Sequence, residues 1–173
     1  MEEWCSMTNT DEIIEHIRIN NIFTHKDIET FCIKCLSDIK EVPFSIDETD
    51  RCLYYFKLFL NGLSKMMVDQ IDDNKIVDAY IAAIVLRDIF SHISPGELDE
   101  PIFHVVMACR HIEKHKEFIG GSKDEEGYYF NVIKNAILYH HADEIFKSIE
   151  LNPFHMIIHY ADVLTYLNGG ENA

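Results

Sequence analysis

The sequence predicts an all-α protein, a single-domain helical bundle of about seven helices. Apolar residues recur at spacings of three and four nearly throughout. Only 7 Gly and 4 Pro occur in 173 residues, too few for the many tight turns of an all-β fold. Hydrophobic residues make up 47% of the chain, enough at this length to bury a real core.

The elements follow in order. Thr10 precedes "DEIIEHIRI", whose first-turn acids suit a helix N-terminus, and is expected to cap it. Thr24 is expected to cap "HKDIETFCIKCLSDIK", in which Ile28, Phe31, Cys32, Cys35, Leu36 and Ile39 share a face. Pro43 closes that segment. A long helix over 49–70 carries "CLYYFKLFLNGLSKMMV", with Tyr54, Tyr55, Phe56 and Phe59 as core. "DQIDDN" breaks it. "KIVDAYIAAIVLRDIF" is apolar on most faces, which predicts a central helix. "SHISPGELDE" is a loop, because Pro95-Gly96 is turn chemistry. Pro101 suits the first turn of "PIFHVVMACRHIEKHKEF". After "IGGSKDEEG", a helix is expected from "YYFNVIKNAILYHHADEIFKSI". Pro153 starts the last, "PFHMIIHYADVLTYL". No strand is expected. Residues 1–44 read as a helical preface, 45–168 as the main helical domain and 169–173 as a disordered tail, all in one compact unit.

Composition excludes several function classes. The net charge is −15, so nucleic acid phosphate is repelled and direct nucleic acid binding is not expected. No apolar run approaches the roughly 20 residues of a membrane span. The acidic N-terminus lacks a signal peptide's basic and apolar regions, and 5 Cys is an odd number. A cytoplasmic protein with reduced thiols is therefore expected. "CIKC" (Cys32, Cys35) has the spacing of a zinc half-site but no second pair nearby, so buried core thiols are expected.

The second half concentrates Asp88, His104, His111, His140, His141, His159 and Asp162 on segments that otherwise read as core. Imidazoles and carboxylates on a rigid helical frame hold divalent metals in phosphate-cleaving enzymes. Asp162 follows Ala161 in the apolar "MIIHYADVL", where an acid is rarely buried unless paired or liganded. His140 and His141 are adjacent and point about 100° apart on a helix, so only one faces a given site. His155 and His159 form an i, i+4 pair, a spacing that more often bonds backbone or solvent than metal. His104 lies near a helix start, where a pocket role fits, and His115 is expected at the surface.

In these pieces the chain resembles the HD-domain phosphohydrolase superfamily, over residues 45–167. That family is all-helical and holds metal on a His, a His-Asp pair, often further His and a final Asp. "IAAIVLRDI" stands where the family has an apolar helix ending in His-Asp. "AILYHH" is similar to the segment carrying an additional His, and "NPFHMIIHYADVLTYL" to the last helix with its Ala-Asp pair. The departures are specific. Arg87 stands in place of the paired His, and Arg51, in "ETDRCLYYFKLF", falls where the first His is expected. A guanidinium has no lone pair for a metal and repels a nearby cation. Asp88 and Asp162 are then expected to pair with guanidinium groups.

The resemblance implies a degenerate member, catalytically weak or inactive and without a cofactor. Arg51, Arg87, His104 and His159 would hold a nucleotide or other anionic phosphate ligand, or the chain would bind a protein partner. Small members of this superfamily, phage-encoded ones included, often act on nucleotides. A second reading is an active phosphohydrolase dependent on Mn, Fe or Mg. Its shifted ligand set would be Asp88, His104 or His111, His140 or His141, and Asp162. A third is an acidic protein that binds a basic partner or imitates nucleic acid, motivated by "ELDE", "KDEE" and "DQIDDN".

Overall fold

The computed structural model describes residues 7–66, 73–92, 103–120, 127–140 and 153–169. Strand β1 (Thr8–Asn9) leads into α1 (Thr10–Ile19) and α2 (Lys26–Ser37). Strand β2 (Glu41–Val42) returns antiparallel to β1, Thr8 opposite Val42. Then come α3 (Ile46–Met66), α4 (Asn74–Leu86) and α5 (Phe103–Ile112), which winds on as a 3-10 turn (Glu113–Phe118). Helices α6 (Tyr128–Tyr139) and α7 (Pro153–Gly169) complete the fold. The protein is all-α around one continuous core, with seven α-helices among the described residues. None of these helices is long and apolar enough to cross a membrane.

Helix α4 is central, as its apolar faces require. Every residue from Asp78 to Leu86 is buried, and α2, α3, α6 and α7 all pack on it. Phe31, Phe56, Ile112, Ile133 and Ile158 bring the other helices into the same core. Cys32 and Cys35 are fully buried within it, and burial pushes both thiols far above their ordinary range. The preface thus shares its core with the main domain.

Several expectations are corrected. A two-residue β bridge exists where no strand was expected, and it ties the chain's start to the end of the α2 segment. Asn9, not Thr10, caps α1: its side chain accepts from Asp11 N at 2.9 Å. Thr10 is buried and its hydroxyl donates instead to Ile39 O. Thr24 does not cap α2 either. Its backbone N–H and that of His25 donate to Asp78 Oδ2 at 2.9 and 2.6 Å, so α4 caps α2 from 54 residues away. Helix α3 starts earlier than expected, behind a capping box in "SIDE". Ser45 N donates to Glu48 Oε2, and Glu48 N to Ser45 Oγ.

Helix α4 stops earlier than expected, and α6, whose end the sequence left open, stops at Tyr139, both for one reason. Arg87 Nη1 donates to Ile84 O at 2.6 Å, and His140 Nδ1 donates to Ile137 O at 2.7 Å. Each side chain satisfies a terminal carbonyl of its own helix. Residues 87–90 therefore form a turn, not the end of α4, and His140 terminates α6. The segment after Ile112 tightens to 3-10 winding where it packs on α2. His115, expected at the surface, is half-buried there with Nε2 2.9 Å from Asp38 Oδ2. Tyr54 is not core: it is 64% exposed on the outer face of α3, while Leu53 and Phe56 point inward. Gly169 belongs to α7, not to the tail. His141, Pro95-Gly96, Pro101, "ELDE", "KDEE", most of "DQIDDN" and residues 170–173 lie outside the described residues.

Candidate metal centre

The C-terminal ends of α4 and α6 meet beside α5 and α7. Asp88 lies in the turn after α4, His104 in the first turn of α5, His140 at the end of α6 and Asp162 in mid-α7. Asp88 Oδ1 is 3.4 Å from His140 Nε2 and 3.7 Å from His104 Nε2. One ligand atom from each of these three residues lies within 4.8 Å of the other two. The two imidazoles meet edge to face, with centroids 5.7 Å apart.

The other carboxylate edge faces Arg87. Asp88 Oδ2 is 2.9 Å from Arg87 Nε, which also donates to Asp162 Oδ1 at 3.1 Å. Arg87 Nη2 donates to the same Asp162 oxygen. Arg87 is 7% exposed and its guanidinium is bonded on all three nitrogens. Burial alone would lower its pKa, but Cys52, Asp162 and Asp88 raise it above the ordinary arginine value. Burial likewise works against the Asp88 charge. The Arg87 guanidinium, His140 and His104 outweigh it and hold the carboxyl well below its usual range.

The expected pairing of Asp88 and Asp162 with a guanidinium is thus present, and Arg87 supplies it. Arg51 does not join in: among the described residues no hydrogen bond or ion pair links it to either acid, and its Nε is buried without an acceptor. The α3 residue beside Arg87 is Cys52, which the sequence reading passed over. Its thiol is fully buried and raised by that burial, with Arg87 acting against the shift. The sequence signal is the three- and four-residue spacing of Thr49, Cys52 and Phe56, all three buried, which places position 52, not 51, on the inner face.

The remaining histidines divide by role. His159 Nδ1 donates to the backbone carbonyl of His140 at 2.8 Å and so fixes the turn that carries that ring. His155 packs against the rings of Tyr80 and Tyr139. His111 belongs to another region: buried, it donates from Nε2 to Cys35 O at 2.7 Å and ties α5 to α2. A cavity of about 750 Å³ beside Tyr129, Glu113 and Lys134 is likewise remote from the Asp88 cluster.

The donor set fits a single divalent cation. His140 is bonded through Nδ1 to the Ile137 carbonyl, which leaves Nε2 as the ring nitrogen turned to Asp88 Oδ1. A backbone partner of this kind orients metal-ligating imidazoles generally. Two ligand atoms each about 2.1 Å from one ion stand about 3.4 Å apart at a tetrahedral angle. The separations of 3.4 and 3.7 Å are close to that value. The electrostatics point the same way. Two carboxylates against one guanidinium leave one negative charge.

Fold and site together define an all-α protein with an imidazole–carboxylate cluster braced by a buried arginine. Comparison of the chain with protein-family models, with curated proteins and with solved structures gave no match.

Proposed function

We propose that the protein binds one divalent cation on Asp88 Oδ1, His104 Nε2 and His140 Nε2 and hydrolyses a phosphate ester, with nucleotides as the substrate class. The carrying observation is the convergence of these three ligand atoms within 4.8 Å, on the edge of Asp88 that Arg87 leaves open. Such an ion, when bound, polarises a phosphoryl oxygen and lowers the pKa of a coordinated water. The chain's own residues do the rest. Arg87 fixes the carboxylate plane of Asp88. Asp162 offsets the Arg87 charge, which otherwise repels a cation. His159 holds the His140 turn in place. The hydrolytic reading rests on the resemblance to phosphohydrolases, and the cation reading on the donor set.

A second reading is favoured by one observation: Arg87 already takes both carboxylates. On that reading the cluster is a salt-bridged relic of a metal site and binds no ion.

Thermal unfolding of chelator-treated protein, with and without Mn²⁺, Fe²⁺ or Mg²⁺, separates the two. Ion at a hundredfold excess over its Kd stabilises by about 2.7 kcal/mol, roughly 5–10 °C in Tm at this chain length. His104→Ala and His140→Ala should each remove that response. No response to any ion in the wild-type protein refutes cation binding and leaves the relic. A metal response without hydrolysis of a nucleotide or generic phosphodiester panel refutes the hydrolase alone.

A further inference from the structure

Helix α7 carries a single charged residue, Asp162, and that residue is turned to Arg87. Otherwise the helix is apolar or neutral around its whole circumference. Helices of that kind are ordinarily covered on every side. Here one side is covered. Ile157, Ile158, Ala161 and Thr165 are buried on the side packed against the bundle, chiefly against α3.

Among the described residues nothing covers the other side. Met156, Tyr160, Val163 and Leu167 recur at intervals of four, three and four residues and are 38–61% exposed. At 100° per residue they fall within an arc of about 60° and run for about 17 Å along the helix. That is the spacing of a coiled-coil seam. Tyr166 flanks it at 85% exposure. On the neighbouring α3, Tyr54 and Leu58 are exposed one turn apart. At about 200 Å² per large side chain, these residues leave roughly 800 Å² open, more than the largest apolar patch of a typical monomer. It matches one partner's share of a standard protein interface, about 800 Å².

Charge selects the occupant. A basic partner needs exposed carboxylates, and this stripe offers none. A helix that lies on a lipid surface carries Lys or Arg on its polar face, and α7 has neither. Two copies of this chain, each with net charge −15, repel one another overall, so self-association needs a contact face that brings no like charges together, and the α7 stripe is such a face. We propose that a second copy covers this surface, α7 against α7 about a two-fold axis, with Tyr54 and Leu58 of α3 at its rim. A two-fold contact needs a self-complementary patch, which a neutral apolar seam supplies. The inference does not depend on cation binding.

Sedimentation equilibrium of the full chain, with chelator present throughout, tests it. The expected mass is twice the 20.2 kDa of the chain at the higher concentrations, with Tm rising as protein concentration rises. Val163→Glu and Leu167→Glu, at exposed positions, should give monomers with unchanged far-UV circular dichroism. Ile19→Glu, 68% exposed on α1, should leave the dimer intact. A mass of 20.2 kDa at every concentration overturns the proposal, whether a lipid surface or another protein then proves to cover the face. A dimer that survives both α7 substitutions, or one that Ile19→Glu also dissolves, overturns it too.

Discussion

Replacing Asp162 with alanine strikes the bond that closes the cluster. Asp162 Oδ1 accepts from both Nε and Nη2 of Arg87, a residue only 7% exposed. Breaking a fully buried ion pair costs about 3–5 kcal/mol, because a charge is left without compensation. Two features reduce that figure here. The Asp162 side chain is 26% exposed, so water reaches the vacated site, and Arg87 keeps Asp88 at 2.9 Å. The loss is then of the order of one charged hydrogen bond plus part of the pair, about 2–3 kcal/mol. At roughly 2–4 °C per kcal/mol for a chain of this length, Tm should fall by about 5–10 °C. Far-UV circular dichroism on metal-free protein at pH 7 measures it, with wild type and variant at one concentration. Asp162→Asn keeps the shape and one acceptor and should lose less. A fall of under about 1 °C in Asp162→Ala would refute the view that α7 is tied to the α4 turn through Arg87.

Asp78→Ala should destabilise by about 3 kcal/mol in urea unfolding. Asp78 is 3% exposed and accepts the backbone N–H groups of Thr24 and His25 and the His25 ring, so its loss removes a cap and the shared acceptor of three part-buried donors. A loss of under about 1 kcal/mol would show that α2 does not depend on this cap. Burial holds His111 below the ordinary imidazole value, outweighing its bond to Cys35 O, and His155 is lowered by burial alone. Both rings stay neutral in the fold where the unfolded chain takes up protons. Their contribution is therefore complete above about pH 6.5 and is lost as pH falls from there to the folded values. Unfolding free energy should decline over that window, less steeply in His111→Gln, and an unchanged slope would count against the assignment.

The helices were legible in the sequence because each is a local pattern. Spacings of three and four fixed their faces, and the apolar run Ala79–Leu86 marked α4 as the centre, since a helix without a polar face has to be enclosed. Pro153 marked the start of α7 for an equally local reason, a fixed backbone angle suited to a first turn. The capping box at Ser45 and Glu48 was just as local and was passed over. Helix ends were less legible where a side chain decided them, as Arg87 and His140 do by bonding back to their own carbonyls. The residue types of the cluster could be chosen from the sequence, because acids and imidazoles in apolar segments need partners. Their mutual arrangement could not. Arg87 meets Asp162 across 75 residues, and Asp78 caps a helix 54 residues away. Counting along α3 indicated Arg51, whereas packing turned Cys52 inward. A one-residue difference in register rotates a side chain by about 100°, and the packing of α3 on α7 and α4 sets that register. Local chemistry therefore determined which helices form and which side chains need a partner. Tertiary packing alone decided which partner each one met.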